Sequence, residues 1–216
     1  MRELKGEKLE KELLRLDAML SYEREYAAFS PLCGIDEAGR GPLAGPVAAA
    51  AVILPENCRI LYLNDSKKLS PARRDALFDE IREKAVSYAV AVVPAERIDE
   101  INILQATYEA MRKAVRELSP VPGALLNDAV TIPELPFRQI PIVKGDAKSL
   151  SIAAASVLAK VTRDRMMEDY DRLYPEYGFA KHKGYGTAQH IVALKQYGPC
   201  PIHRRTFIGH FTGAEG

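Results

Sequence analysis

A mixed α/β fold, with helices covering both faces of a sheet, is predicted by three observations. Strand-like apolar runs open the core of the chain, helical periodicities then alternate with short strands, and proline or glycine clusters separate them. The 216 residues are 47% hydrophobic and 27% charged, a globular balance that excludes collagen-like, disordered and coiled-coil architectures. Such a length suits one large domain with a small appendage and needs no disulfide or metal staple.

The elements can be justified in order. Leu9, Leu13, Leu16 and Leu20 recur at helical spacing among alternating charges, so residues 4–26 read as an amphipathic helix. Ser30-Pro31 ends it, leaving residues 1–30 as a helical extension ahead of the main domain at 31–216. Residues 32–35 and 47–54 read as strands, the second bounded by Pro46 and Pro55. Ser70 and Pro71 supply a cap and a first-turn proline for a helix at 72–84. Residues 87–93 alternate like a strand, 95–118 repeat like a long helix, and 124–126 and 140–143 are short apolar strands. Helices follow at 149–173 and 187–197, the latter capped by Thr187 and stopped by Gly198.

Bulk properties exclude several functions. The net charge of +1 announces no polyanion binder, so any nucleic-acid signal has to be local. Cys33, Cys58 and Cys200 are odd in number and far apart, which argues against a disulfide framework and for a reducing, cytoplasmic setting. The charged N-terminus is no signal peptide, and the longest apolar run, 47–54, is too short to span a bilayer, so no membrane association is expected.

The chemistry begins at residues 34–46. Gly39, Gly41 and Ala44 satisfy a loose dinucleotide-binding pattern, but Asp36 and Glu37 would repel a pyrophosphate and Pro42 and Pro46 interrupt the required helix. Two adjacent acids at the end of a buried strand instead call for a compensating cation. Neighbouring strand residues point to opposite faces, so Asp36 is the better ligand and Glu37 reads equally well as a solvated turn acid. Asp128 and Asp146 also stand where apolar strands end; they read as further oxygen ligands for magnesium or manganese, or as turn caps.

From Tyr177 to Ala214 no acid occurs, while Lys181, Lys183, Lys195, Arg204, Arg205 and all four histidines interleave with Tyr177, Phe179, Tyr185 and Tyr197. That is a footprint for nucleic acid, or a basic helix over core aromatics. Cys200 and His203 could form half a zinc site, but no second half is present. Serine-hydrolase, zincin and P-loop motifs are missing from the sequence. Carboxylates beside a basic surface point to phosphodiester hydrolysis with two divalent ions.

Gly34-Ile35-Asp36-Glu37-Ala38-Gly39-Arg40-Gly41-Pro42, Asp65-Ser66-Lys67-Lys68-Leu69, Lys144-Gly145-Asp146 with the run from Ser151 to Asp164, and His182-Lys183-Gly184-Tyr185-Gly186-Thr187 together resemble bacterial ribonuclease HII, over residues 32 to 208. The resemblance implies a ribonuclease H-like mixed sheet flanked by helices. It implies an endonuclease that cuts the RNA strand of RNA–DNA hybrids and nicks duplex DNA 5′ to a single ribonucleotide, leaving 5′-phosphate and 3′-hydroxyl ends. Asp36, Glu37, Asp128 and Asp146 match the family's catalytic, metal-binding acids, which hold two Mn2+ or Mg2+ ions. Gly39, Arg40 and Gly41 match the turn that reads the 2′-hydroxyl, and Tyr185 the tyrosine that stacks on the adjoining deoxyribose. Lys67, Asn102 and Lys144 are placed near phosphates by the same similarity. Asn127 and Ala129 depart from the usual aliphatic residue and glycine around Asp128. A monomer is expected. The rival readings are a junction-independent enzyme of the sister type HIII, a binding protein on an inactive nuclease fold, and the dinucleotide-binding oxidoreductase.

Overall fold

The structure is a computed structural model that describes residues 4–212; the ends of the expected extension and main domain, 1–3 and 213–216, lie outside the described residues. Five strands, β1 (Leu32–Ala38), β2 (Val47–Ile53), β3 (Ser87–Val93), β4 (Ala124–Asp128) and β5 (Arg138–Ile142), form one sheet in the order β3-β2-β1-β4-β5. β2 runs antiparallel to β1 and β3, whereas β4 is parallel to β1 and β5 parallel to β4. Every residue of β2 is buried, which is why its sequence is a continuous Ala/Val/Ile run without alternation.

The helices are α1 (Glu7–Met19), α2 (Ser21–Glu25), α3 (Pro71–Lys84), α4 (Ala95–Arg116), α5 (Gly145–Lys148), α6 (Leu150–Leu173), α7 (Phe179–His182), α8 (Ala188–Tyr197) and α9 (Arg205–Thr212). On one face α3 and α6 pack Leu77, Ile81, Ala154 and Leu158 with Ala50 and Val52, and α1 adds Leu16 and Met19 to the same cluster. On the other face α4 sets Ile98, Met111 and Ala114 against Ile35, Ala49, Ala51 and Val93. The alanines of α6 let it lie close to β1. At Gly34 the approach is tightest: a Cβ there would sit 2.1 Å from the carbonyl carbon of Ser151.

Two expected helices are each broken. The helix over 4–26 divides at Leu20, whose N–H turns to Asp17 O; Leu16, Met19 and Leu20 enter the α3–α6 cluster while Tyr22 and Tyr26 pack beside Leu32, Leu126 and Ile140. The helix over 95–118 breaks at Asn102 (φ 65°, ψ 165°), where the Asn102 Oδ1 accepts from the N–H groups of Leu104 and Gln105 and starts the helix again. Short helices α5, α7 and α9 fall where the sequence pattern is too brief to announce one.

Because β1, β4 and β5 are parallel, their C-terminal ends open at the same edge of the sheet. Asp36 and Asp128 lie on the ends of β1 and β4, and β5 leads through Lys144 and Gly145 to Asp146. The topology alone therefore gathers three acids separated by up to 110 residues.

Candidate metal centre and nucleic-acid cleft

One carboxylate oxygen from each of Asp36, Asp128 and Asp146 lies within 4.8 Å of the other two. Asp36 and Asp146 are buried and Asp128 is half-buried. Asp36 Oδ1 accepts the Glu37 N–H at 2.8 Å, and Asp128 Oδ1 accepts the Gly145 N–H at 2.7 Å, which ties the end of β4 to the turn that presents Asp146. That turn needs Lys144 in the left-handed region, φ 58°. Ala129, just after Asp128, takes φ 56°, a left-handed conformation that favours glycine; its N–H donates to Ile142 O. Asn127 is fully buried and its amide donates to Val130 O and Gln139 Oε1, so this departure stabilises the turn after Asp128.

The electrostatics are those of a site short of positive charge. Burial first, then the neighbouring Glu37, pushes the Asp36 carboxyl well above the ordinary range, against a hydroxyl hydrogen bond from Ser156. Burial likewise raises Asp146, with Asp65 and Asp128 adding repulsion. Lys67 feels Asp36, Asp65, Asp146 and Asp128, which together outweigh its burial and raise its pKa. One lysine among these acids leaves negative charge uncompensated, and hard oxygen donors in this arrangement fit a divalent cation such as Mg2+ or Mn2+.

Glu37 falls outside this trio. Strand alternation turns its side chain away from Asp36, and it pairs with Arg40 at 3.4 Å. Burial raises its pKa and Arg40 opposes that rise. Glu37 instead lines an adjoining cleft of about 260 Å³ with Gly39, Arg40, Gly41, Lys67 and Tyr185. The turn and the tyrosine face each other there: a Cβ on Gly41 would meet Tyr185 Cε1 at 3.8 Å. Tyr185 is 45% exposed. Asn102 and Lys144 are exposed, the first spent on capping and the second on the left-handed turn.

The basic C-terminal run divides into surface and core. Lys181, Tyr185 and Tyr197 are exposed, whereas Tyr177, Phe179, His182, His190, His203 and Arg204 are buried. Tyr177 and Phe179 stack at 5.3 Å, and His190 Nε2 meets His203 Nε2 at 3.0 Å, so these rings are packing. Cys200 Sγ touches His203 Nδ1 at 3.1 Å, yet the acidic trio is the metal-competent cluster among the described residues. The loose dinucleotide pattern runs into β2, not a helix. Asp65 and Ser156, both buried against the acids, were not singled out by the sequence; each stands inside one of the motifs, but neither spacing nor strand position marks it.

Solved structures define the class. The ribonuclease H2 of Pyrococcus horikoshii superposes with a TM-score of 0.71 at 31% identity, covering 84% of this chain and 97% of that one. The ribonuclease HII in a PCNA complex from Archaeoglobus fulgidus gives 0.70 at 30% identity, over 81% and 93%. A Bst ribonuclease HIII variant, at 19% identity and 0.64, shares the fold. The fold and its acidic edge are those of a ribonuclease H-type nuclease.

The sequence narrows this further. The Ribonuclease HII family model matches residues 33–210, and the chain belongs to that family. It is 61% identical over 206 residues to the Ribonuclease HII of Lachnoclostridium phytofermentans, covering 95% of this chain and 81% of the relative. It is 55% identical to that of Ruminiclostridium cellulolyticum, over 94% and 81%. The activity is hydrolytic cleavage in RNA–DNA hybrids, with a need for divalent metal ions.

Proposed function

We propose that this enzyme nicks duplex DNA on the 5′ side of a single embedded ribonucleotide, as well as cutting the RNA strand of continuous hybrids, and leaves 5′-phosphate and 3′-hydroxyl ends. The observation that carries the reading is the shared cleft: the Gly39-Arg40-Gly41 turn and Tyr185 face each other beside the acidic trio. Asp36, Asp128 and Asp146 would hold one divalent ion, and Glu37, in the adjoining cleft, would supply a ligand for a second. Mn2+ or Mg2+ bound there would polarise the phosphate and lower the pKa of the attacking water.

The chain's own groups do the remaining work. Among the described residues the N–H groups of Arg40 and Gly41 have no protein acceptor, so they are available to a 2′-hydroxyl or a phosphate oxygen. Tyr185 presents a half-exposed ring for stacking on the sugar that follows. Lys67 keeps a positive charge at the edge of the acids and orients a phosphate. We read residues 1–30 as an extension and 31–216 as the catalytic domain, and the protein as a cytoplasmic monomer. No described helix is long and apolar enough to cross a membrane.

The test is cleavage of a labelled DNA duplex holding one ribonucleotide, beside an all-DNA duplex and a continuous hybrid, with Mg2+, Mn2+ or chelator. A metal-dependent nick 5′ to the ribonucleotide is expected. Cutting of the continuous hybrid alone would move the enzyme to the junction-independent mode of type HIII.

A further inference from the structure

Two arginines, Arg163 on α6 and Arg204 before α9, are fully buried, and neither makes an ion pair among the described residues. A guanidinium in that position ordinarily has a carboxylate partner. Here the partners are backbone carbonyls. Arg204 donates from Nη2 to Gly39 O at 2.6 Å, from Nη1 to Arg40 O at 2.8 Å and from Nε to Gly45 O at 3.0 Å. Arg163 donates from Nε to Pro46 O at 2.8 Å, from Nη2 to Ala44 O at 3.1 Å and from Nη1 to Lys183 O at 3.0 Å.

These bonds have a common direction. Carbonyls of the 39–46 loop are drawn inward, which fixes the peptide planes at Gly39 and Arg40 and leaves the Arg40 and Gly41 N–H groups without an internal acceptor. Arg163 also reaches Lys183 O, so one side chain joins that loop to the segment that carries Tyr185. Leu43 N–H to Gly184 O, and Arg204 N–H to Leu43 O, close the same seam. The fit is tight: at Gly39, φ 96°, a Cβ would lie 2.1 Å from Arg163 Nε. Burial draws the Arg204 pKa down to about 9, so it is still charged at pH 7.

We propose that Arg163 and Arg204 are positioning residues that lock the Gly39-Arg40-Gly41 turn and the Tyr185 segment into one rigid reader, and so set the enzyme's preference for a ribonucleotide–deoxyribonucleotide junction. The inference rests on the reading of that turn and tyrosine given above. A flexible ammonium cannot bridge three carbonyls in a plane, so lysine keeps the charge and loses the geometry. A shift of the reader by about 1 Å is enough to cost roughly tenfold to a hundredfold in rate.

The experiment compares the unsubstituted enzyme with Arg204→Lys and Arg163→Lys. Cleavage of a duplex with one ribonucleotide and of a continuous hybrid are measured side by side, and Mn2+ binding is measured by calorimetry without nucleic acid. The expected result is a loss of kcat/KM at the single ribonucleotide of roughly tenfold or more, a several-fold smaller loss on the hybrid, and unchanged Mn2+ affinity. Equal losses on both substrates, or a preference that survives both substitutions, overturns the clamp alone. An unsubstituted enzyme with no preference for the single ribonucleotide overturns the junction reading together with it. Should a variant not fold, hydrogen exchange of the unsubstituted protein decides. Peptides covering 39–46 and 183–187 are expected to open at a common rate, and independent opening overturns the proposal.

Discussion

Asp36 is the most buried of the three acids, and its replacement separates metal chemistry from substrate affinity. Asp36→Asn is expected to remove cleavage by more than the roughly hundredfold typical of an outer-shell partner, while duplex binding in gel-shift assays stays near that of the unsubstituted protein. Retained cutting would exclude Asp36 as a ligand. Tyr185→Ala is expected to weaken cleavage at a single ribonucleotide by about 1–3 kcal/mol, the size of one lost stacking contact, and to spare continuous hybrids. Parallel steady-state kinetics on the two substrates check it. Asp36 could be read from the sequence as a ligand because it ends a buried strand, whereas for Asp128 and Asp146 strand position left ligand and turn cap equally open and only the motif resemblance chose between them. Arg163 and Arg204 could not be read at all. Their partners are carbonyls more than 100 residues away on the chain, or 20 in the case of Lys183, and a carbonyl has no residue type to betray it.

Among the elements, α6 and β1 depend on each other most closely, since Gly34 lets the helix start lie directly on the strand that delivers Asp36. Gly34→Ala forces backbone against backbone and is expected to cost about 3 kcal/mol, a fall in Tm of roughly 10 °C by thermal denaturation. An unchanged Tm would show that the helix can move away freely. The start of α6 is also held from the far side of the sequence: Glu23 Oε1 accepts from Ser149 Oγ at 2.6 Å and from Ser151 N–H at 2.9 Å. The strands and long helices were legible because their periodicities are strong; Thr187 caps α8 as expected, whereas Ser70 ahead of α3 makes no side-chain cap hydrogen bond. The interruption at Asn102 was hidden inside a helical pattern that continues on both sides of it, and only the local side-chain cap decides the break.

At the scale of the whole molecule, pH acts on two kinds of buried group with opposite sign. His203 is held neutral by burial, with its pKa lowered from 6.5 to about 4. Its contribution, roughly 3 kcal/mol, is complete above pH 6.5 and lost as pH falls through the window down to about 4. Asp36 and Asp146 behave the other way: both carboxyls are raised, so the metal-free protein loses stability as pH climbs above the ordinary carboxylate range. Mn2+ is therefore expected to raise Tm more at pH 8 than at pH 5, and His203→Asn to flatten the acid limb between pH 6.5 and 4. Melting curves across pH, with chelator and with Mn2+, check both.

The parallel pairing of β1 with β4, across an interval of about 90 residues, also has a consequence for how the protein is made. A ribosome releases Asp36 early, but nothing can assemble around it until β4, the Asp146 turn and α6 have all emerged. The half-synthesised chain carries the first carboxylate without its partners, so the nuclease gains its ability to cut nucleic acid only late in its own translation.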